Sequence, residues 1–259
     1  MDLVALPAFA DNYIWLFHDG AQAVVVDPGD AAPVLDALDR LHLRLAAILV
    51  THHHADHVGG IPALRPRLQG PVYGPAREDI EGPLQRLHDG EQIEVLGLHF
   101  TVIDVPGHTA GHIAYAQVAA PQAPDGPLLF CGDTLFSAGC GRIFEGTAAQ
   151  MHASLGRLSA LSGQTRVCSA HEYTLANLAF AAAVEPANDA VHAHAQHCRA
   201  LREQGQPTLP STLALELRIN PFLRCSEPDV IAAARAQGTA GRTPVDVFAA
   251  LREWKNRFR

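Results

Sequence analysis

The sequence of 259 residues is long enough for one large domain, or for one domain with a smaller attachment, around a substantial buried core. Its composition, 48% hydrophobic and 18% charged, is typical of globular proteins. The formal net charge of -8 argues against a general nucleic-acid binder, because phosphate binding needs a basic surface. Any anionic ligand must therefore be bound by a local cluster of cations.

The N-terminal segment and the cysteines predict a cytoplasmic protein. The segment "MDLVALPAFADNY" has no basic start, and Pro7 and Asp11 interrupt its apolar residues, so neither a signal peptide nor a membrane span is expected. The five cysteines are widely spaced and form no C-x-x-C pair. Such cysteines are typical of free thiols in a reducing compartment.

Residues 13–50 predict a β-α-β start. Three apolar, partly β-branched runs are bounded by Gly, Pro or Asp, as strands are: "YIWLFHD", "AQAVVVDPG" and "LAAILVTH". Between the last two runs, "AAPVLDALDRLHL" has Pro33 near its start and places Val34 and Leu38 on one face. This segment therefore predicts a helix between two strands.

Residues 61–171 predict more strands than helices. The segment "IPALRPRL" predicts a short helix, and "EQIEVLGLHFTVIDVPG" predicts a hairpin that turns at Gly97. Two further strands, "IAYAQVA" and "PLLFCGD", are separated by the Pro-rich "APQAPDGP", which we expect to be an exposed connector. A helix in "GTAAQMHASLGRLSAL" and a short strand in "RVCSAH" complete this part.

From Thr174 onward the periodicity is almost entirely helical. Four segments have Asn or Pro near their starts or a Gly after their ends: "TLANLAFAAAV", "NDAVHAHAQHCRALREQ", "PDVIAAARAQG" and "PVDVFAALREWKNRF". The change predicts a boundary near residue 172. We therefore expect a mixed domain at residues 1–171 and a helical domain at residues 172–259.

The histidine-rich stretch "THHHADHVGG" predicts a metal site. His52 and His54 are two positions apart, so they lie on the same side of an extended segment. Asp56 and His57 follow directly, before a pair of glycines that permits a tight turn. Imidazole and carboxylate bind zinc, iron or manganese, whereas a polar turn with solvated histidines explains this spacing poorly. His53 is expected to face away from the site.

Three other predicted strand ends carry similar donors. His108 and His112 lie in "DVPGHTAGH", Asp133 in "FCGDTLF" and His171 in "CSAHEYT". Each follows an apolar run and lies near Gly or another small residue, which permits close approach. Because the same chemistry recurs at four strand ends, we expect one common site.

The four motifs T-H-x-H-x-D-H, P-G-H-T, C-G-D-T and A-H-E-Y together resemble the metallo-β-lactamase superfamily. Longer stretches are similar to the glyoxalase II (hydroxyacylglutathione hydrolase) family: "THHHADHVGG", "PGHTAGH", "GDTLFSAGCGRIFEG", "AHEYTLANLAFA", "NPFLR" and "REWKNRF". The similarity extends from "DNYIW" to the last residues. It implies an α+β fold, a four-layer αββα metallo-β-lactamase sandwich with a C-terminal helical domain.

The resemblance also implies two divalent metal ions per chain, with zinc as the first choice and iron or manganese as alternatives. The implied ligands are His52, His54 and His108 for one ion, Asp56, His57 and His171 for the other, and Asp133 as a bridge to both. His112 is assigned to structure or to support of a ligand. Asp27, at the end of "AVVVDPG", is expected to orient the histidine loop from behind, as carboxylates near metal ligands do.

The implied reaction is hydrolysis of the thioester S-D-lactoylglutathione, and of other S-2-hydroxyacylglutathiones, to D-lactate or the corresponding 2-hydroxy acid and glutathione. This is the second step of methylglyoxal detoxification.

A hydroxide bridging the metal ions would attack the carbonyl, and a metal ion would stabilise the oxyanion. Asp56 or Asp133 would position or deprotonate the nucleophile. The thiolate leaving group has a pKa of about 8.5, so it needs no strong acid. The expected partner is this small molecule, and the expected enzyme is a monomer.

Glutathione carries two carboxylates, so its recognition needs cations in this acidic protein. The family's glutathione-binding pattern falls here on Arg142, Tyr173, Arg252 and Lys255. Arg252 and Lys255 are three apart on one face of the predicted last helix, and Lys255 is the only lysine of the chain. Arg142 replaces the lysine of some relatives. Phe144 replaces a tyrosine, which removes a possible hydroxyl contact.

Glutathione persulfide dioxygenase, a superfamily relative with a single iron, is the alternative function. The terminal R-x-x-K-N segment and the complete helical domain favour glyoxalase II. A β-lactamase is disfavoured because Asp133 stands where several of those enzymes use cysteine, and the net charge disfavours a nuclease.

Two further classes of protein fit the motifs less well. A serine or cysteine hydrolase lacks support, since the chain has no G-x-S-x-G motif. A metal-binding module without catalysis would have the same fold. Because all seven implied ligands are present, loss of the site is not expected.

Overall fold

A computed structural model of the protein describes residues 1–118, 126–238 and 242–258. The predicted connector "APQAPDGP" lies outside the described residues, except for its last two positions. The chain divides into two compact units. Unit 1 consists of Met1–Asp104, Ala110–Gly132 and Cys168–His171, and unit 2 consists of Val105–Thr109, Asp133–Val167 and Glu172–Arg259.

Unit 1 contains a six-stranded sheet whose strands follow one another in chain order. Its strands are β1 (Asp2–Ala8), β2 (Asn12–His18), β3 (Gln22–Val26), β4 (Arg44–Leu49), β5 (Val72–Pro75) and β6 (Gln85–Leu87). The first three strands are antiparallel, and β3 to β6 are parallel. The parallel part places the carboxyl ends of β3 and β4 at the same edge of the sheet.

Strand β1 was not predicted from the sequence. It pairs with β2 over its whole length, from Asp2 opposite His18 to Ala8 opposite Asn12. Pro7 has no backbone N–H, and sheets tolerate proline mainly on edge strands. Because β1 is an edge strand of this sheet, it pairs with β2 alone within the sheet. The missing N–H of Pro7 therefore removes no hydrogen bond to a strand on the other side.

The predicted β-α-β start is confirmed. Helix α1 (Ala32–Arg40) has a proline in its first turn and buries Val34, Ala37 and Leu38. These side chains pack with Leu16 and Val25 of the sheet in one apolar cluster. After β4 come two helices of one turn each, α2 (Ala55–Val58) and α3 (Ile61–Leu64). Helix α1 therefore covers one face of the sheet.

Four more strands of unit 1 lie against the other face of this sheet. They are β7 (Gln92–Val95), β8 (Leu98–Asp104), β9 (Ile113–Gln117) and β10 (Leu128–Phe130), in the order β10-β9-β8-β7. The predicted turn at Gly97 is confirmed, with φ of 72°. Between the strands of the two sets, the ring of Phe17 lies 5.6 Å from that of Phe130 and 5.9 Å from that of Phe100. Aromatic side chains therefore fill the space between the two sets of strands, whereas the cluster under α1 is aliphatic.

Unit 2 is mainly helical. Its helices are α4 (Ala148–Ser159), α5 (Thr174–Val184), α6 (Asp189–Glu203), α7 (Leu213–Ile219), α8 (Pro228–Ala236) and α9 (Pro244–Arg257). The short strands β11 (Leu135–Phe136) and β12 (Gly139–Cys140) pair antiparallel, as do β13 (Arg166–Cys168) and β14 (Ser211–Thr212). The five helices predicted in this part of the chain are confirmed.

Helix α7 was not predicted. It buries Leu213, Glu216 and Ile219, so a carboxylic acid occupies the middle of its buried face. Ile219 packs with Leu178 of α5 and Val191 of α6 in an apolar cluster. Because the acid interrupts the apolar periodicity, the segment "LALELRI" did not give a helical pattern in the sequence.

Candidate metal centre

The histidine-rich segment begins where β4 ends. His54 is extended, with φ of -61° and ψ of 145°, and its carbonyl oxygen accepts hydrogen bonds from His57 and Val58 at the start of α2. The chain thus changes from strand to helix within this segment, and successive side chains turn toward one region. His52 and His57 are fully buried, and Asp56 is half-buried.

A close backbone contact fixes the loop. A Cβ atom at Gly29 would lie 1.9 Å from the carbonyl oxygen of Asp56, and a Cβ atom at Gly60 would lie 2.6 Å from the backbone nitrogen of Ala31. Real side chains do not reach such distances. Glycine is therefore required at both positions for the loop of residues 51–60 to pack against residues 28–31.

Asp56, His57 and His171 form a group of three metal-ligand atoms. Oδ2 of Asp56 lies 3.4 Å from Nε2 of His57 and 3.5 Å from Nε2 of His171. Bonds of 2.0–2.1 Å to a tetrahedral ion place neighbouring ligand atoms about 3.4 Å apart. The group therefore has the donor atoms and the separations that a divalent ion requires, and the structure brings these three predicted residues together.

In His57 and in His171, the ring nitrogen that does not face Asp56 faces a different carboxylate. Nδ1 of His57 lies 3.1 Å from Oδ2 of Asp27, and Nδ1 of His171 lies 2.8 Å from Oδ1 of Asp11. Since a carboxylate only accepts, each Nδ1 carries the hydrogen, and Nε2 of the neutral ring presents a lone pair. That lone pair faces an oxygen of Asp56, and a cation between them would relieve the repulsion.

Asp27 supports the histidine loop, as predicted. Its carboxylate accepts hydrogen bonds from the backbone nitrogen of Thr51 at 2.8 Å and from Oγ1 of Thr51 at 2.7 Å. The same Oγ1 lies 3.0 Å from Nδ1 of His52. One buried carboxylate thus reaches the ring of His57 directly and that of His52 through a hydroxyl.

His52 and His54 form a second pair of donors in unit 1. Nε2 of His52 lies 3.1 Å from Nδ1 of His54. The ring of His112 stacks on that of His52, with centroids 4.6 Å apart, so His112 supports this ring as expected. The carboxylate of Glu78 contacts the ring of His53.

His108 and Asp133 belong to unit 2 and form a pair of their own. Nε2 of His108 lies 3.4 Å from Oδ2 of Asp133, and both residues are buried. Nδ1 of His108 donates to the carbonyl oxygen of Arg142 at 2.8 Å. The neutral ring therefore again presents an Nε2 lone pair to a carboxylate oxygen, which is the arrangement found at Asp56.

The basic residues predicted to bind substrate occur together in unit 2. Nζ of Lys255 donates to the carbonyl oxygen of Ala176 at 3.1 Å. Burial, together with the nearby cations Arg252 and Arg142, lowers the pKa of Lys255 to about 8. Tyr173 is partly exposed, and its ring contacts Phe136 at a centroid distance of 5.2 Å.

The structure buries Arg252, which the sequence did not indicate. Its side chain is only 6% exposed, and Nη1 donates to the carbonyl oxygen of Cys140 at 2.8 Å. The guanidinium also lies 5.2 Å from the ring centroid of Phe222. Arg252 therefore holds the backbone just before Arg142.

Three side chains in α5, in α7 and directly after α7 hold the backbone of residues 137–139, and the sequence did not indicate them. Nδ2 of Asn177 donates to the carbonyl oxygen of Ser137 at 3.0 Å, and Nδ2 of Asn220 donates to that of Gly139 at 2.9 Å. Oε2 of Glu216 accepts from the nitrogen of Ala138 at 2.8 Å, and burial raises the pKa of Glu216. No local signal marks these contacts, because their partners lie 40 or more positions away.

Two family models match the chain. The model described as the metallo-beta-lactamase superfamily matches residues 9–171, and the model described as the hydroxyacylglutathione hydrolase C-terminus matches residues 172–258. A protein of Albidiferax ferrireducens named hydroxyacylglutathione hydrolase is 59% identical over 258 residues, which cover 100% of both chains. A protein of the same name from Pseudomonas aeruginosa is 56% identical and covers 98% of both chains.

Solved structures also resemble the chain. That of ETHE1 from Myxococcus xanthus has a TM-score of 0.64 and 26% identity, and the match covers 100% of both chains. That of TTHA1623 in a di-iron-bound form has a TM-score of 0.58 and 28% identity, covering 86% of this chain and 100% of the other. With the two family models, these similarities confirm the predicted α+β class, a metallo-β-lactamase domain followed by a helical C-terminal domain.

Proposed function

The chain belongs to the hydroxyacylglutathione hydrolase family of the metallo-β-lactamase superfamily, and we propose that it hydrolyses S-D-lactoylglutathione to D-lactate and glutathione. It is a metal-dependent hydrolase of hydroxyacylglutathione thioesters. The observation that carries the proposal is the group of Asp56, His57 and His171, whose acceptor atoms face one another in a chain 59% identical to a hydroxyacylglutathione hydrolase. In this proposal the reaction is the second step of methylglyoxal detoxification.

We propose two divalent ions per chain, with zinc first and iron or manganese as substitutes, since histidine and aspartate accept all three. The assigned ligands are His52, His54 and His108 for one ion, Asp56, His57 and His171 for the other, and Asp133 for both. Support comes from the paired acceptor atoms in each unit and from a similar structure that is described as di-iron-bound.

When bound, the ions supply Lewis acidity, which lowers the pKa of a water toward neutrality and stabilises a tetrahedral oxyanion. We assign Asp56 and Asp133 to orient the attacking water and to hold its proton. The pKa of Asp56 lies below its ordinary value beside His57 and Asn12, so this carboxylate is ionised at neutral pH and able to accept. Because a thiolate leaves readily, the chain needs no separate strong acid.

We propose that Arg142, Tyr173, Arg252 and Lys255 bind the glutathione part of the substrate. Burial first, and then the nearby cations Arg252 and Arg142, lower the pKa of Lys255, and an anionic ligand relieves the repulsion among the cations. Arg252 contributes charge and also holds the loop that carries Arg142. Phe144, which is 62% exposed with its ring 5.2 Å from that of His108, adds an apolar contact without a hydroxyl group.

Substrate binding should weaken as the pH rises through the pKa of Lys255. This pKa is lowered to about 8, so Lys255 is protonated at pH 7 and mostly neutral at pH 9. A neutral amine no longer attracts a carboxylate, and we expect KM for S-D-lactoylglutathione to rise several-fold between these pH values. In Lys255→Arg, whose guanidinium remains charged, the rise should be absent.

The control is the same pH series with wild-type protein and with Lys255→Met, which carries no charge at either pH. Lys255→Met should have the high KM already at pH 7. Parallel pH profiles of KM in wild type and Lys255→Arg would contradict the role of Lys255.

We propose a domain boundary after His171, a monomeric state and a cytoplasmic location. The ranges matched by the two family models, 9–171 and 172–258, support the boundary. The five cysteines are buried free thiols, which supports a reducing compartment. Among the described residues, no helix combines the length and apolar character needed to span a bilayer.

The function is tested with protein of known metal content. Thiol release from S-D-lactoylglutathione is measured, together with oxygen uptake on glutathione persulfide. We expect thiol release with two ions bound and no oxygen uptake. One iron per chain with oxygen uptake would establish the dioxygenase instead, and two bound ions without thiol release would overturn the hydrolase assignment.

A further inference from the structure

The turn between β1 and β2 touches two of the metal-ligand residues of unit 1. Oδ1 of Asp11 lies 2.8 Å from Nδ1 of His171, and Nδ2 of Asn12 donates to Oδ2 of Asp56 at 2.9 Å. Asp11 and Asn12 are neighbours, yet they reach ligands 160 and 44 positions away. The two contacts lie on different ligands of one metal-ligand group.

Backbone contacts hold this turn against the segment that carries His171. Asn12 and His171 form an isolated antiparallel bridge, and the nitrogen of Tyr13 donates to the carbonyl oxygen of Ala170 at 2.7 Å. Nε1 of Trp15 donates to the carbonyl oxygen of Ser169 at 2.9 Å. The start of β2 is thus fixed to residues 169–171, and the two polar side chains have little freedom to leave the ligands.

The turn also has a strained backbone. Phe9 has φ of 51°, a left-handed conformation that bulky residues rarely adopt, and its side chain is 62% exposed. A residue in this region is strained and persists only where surrounding contacts determine it. Phe9 buries little surface to offset that strain, whereas the turn it begins brings Asp11 and Asn12 to the ligands.

The two contacts act on different properties of the ligands. The carboxylate of Asp11 keeps the hydrogen of His171 on Nδ1 and leaves Nε2 as the donor to a metal. The amide of Asn12, which is 7% exposed, occupies one lone pair of Oδ2 of Asp56 and so limits the orientation of that carboxylate. The third ligand, His57, has its own partner in Asp27.

We infer that Asp11 and Asn12 are positioning residues that set the metal affinity of the group formed by Asp56, His57 and His171, and that they leave the affinity at His52 and His54 unchanged. The inference rests on the proposed two-ion function. It predicts that loss of either side chain weakens one ion selectively, by about 10–100-fold, as is typical for partners of metal ligands.

The experiment is a titration of metal-free protein with cobalt(II), whose visible absorption reports coordination, in competition with a chelator. Wild type should take up two ions. Asp11→Ala and Asn12→Ala should bind the first ion as wild type does and the second about 10–100-fold more weakly. Asp11→Asn, which keeps an acceptor for Nδ1 of His171, should recover most of the affinity.

The matched control is Asp19→Ala, which removes an aspartate from the turn between β2 and β3, where its carboxylate accepts from the backbone nitrogens of Ala21 and Gln22. It should bind both ions normally.

If Asp11→Ala or Asn12→Ala does not fold, Asp11→Asn and Asn12→Leu provide the comparison. Asn12→Leu is then expected to bind the second ion more weakly than Asp11→Asn does. Equal affinity for both ions in all variants, or equal loss of both, overturns the inference. A wild type that binds one ion overturns the proposed function itself.

Discussion

Replacing Asp133 with alanine is expected to lower kcat/KM for S-D-lactoylglutathione by about three orders of magnitude or more. The proposed role of Asp133 is to bind both ions, and its carboxylate is the negative charge next to Nε2 of His108. Without it, two cations close together would repel each other with one anionic protein ligand fewer to offset their charge. We therefore expect metal content to fall from two ions to one or none, measured on purified protein by elemental analysis.

The control for this prediction is Asp229→Ala, an exposed aspartate in the first turn of α8 of the same unit. This variant also removes one carboxylate, but it changes no proposed metal ligand. We expect it to keep its metal content and its activity. Asp133→Asn adds a test of charge, since an amide keeps the size but cannot bridge as an anion. Two tightly bound ions and activity within tenfold of wild type in Asp133→Ala would rule out the bridging role.

Replacing Gly29 with alanine is expected to displace Asp56 and to destabilise the fold. The new Cβ atom would lie 1.9 Å from the carbonyl oxygen of Asp56, and backbone cannot move away as the end of a side chain can. Overpacking of this kind costs about 1–3 kcal/mol or more. We expect a lower midpoint of thermal unfolding, weaker metal binding and a loss of activity that added metal only partly restores.

Gly156→Ala is the matched control, because a Cβ atom at Gly156 meets nothing within 4 Å and the residue lies inside α4. Alanine favours a helix interior over glycine by about 0.5–1 kcal/mol, so this variant should be as stable as wild type or more stable. The measurements are thermal unfolding with and without metal and chelator competition. A Gly29→Ala protein with wild-type metal affinity would show that the loop adapts to the added methyl group.

The local part of the metal group was predictable because its residues are close in the chain. His52, His54, Asp56 and His57 lie within six positions at a strand end, and residue type and spacing indicate metal binding before any fold is known. Asp11 and Asn12 were not predictable. A polar pair in a turn is equally typical of a solvated turn, and their contacts depend on strand pairing over long separations.

The same distinction applies to the fold. Helix α1 and strands β2 to β4 followed from apolar periodicity and from Gly, Pro and Asp at their ends. Strand β1 and helix α7 did not, since a proline in one and a buried acid in the other break the pattern. Pairing at a sheet edge permits Pro7, and the backbone nitrogen of Ala138 donates to Oε2 of the buried Glu216.

The sequence by itself determined the family, the mixed and helical parts of the chain and the residues able to bind metal, because these depend on side-chain chemistry and local spacing. Tertiary structure alone decided which ring nitrogen faces a carboxylate, that Arg252 is buried against the carbonyl oxygen of Cys140, and that Glu216 holds the loop before Arg142. These properties depend on hydrogen bonds between residues far apart in the chain, whose geometry exists only after the strands and helices have packed.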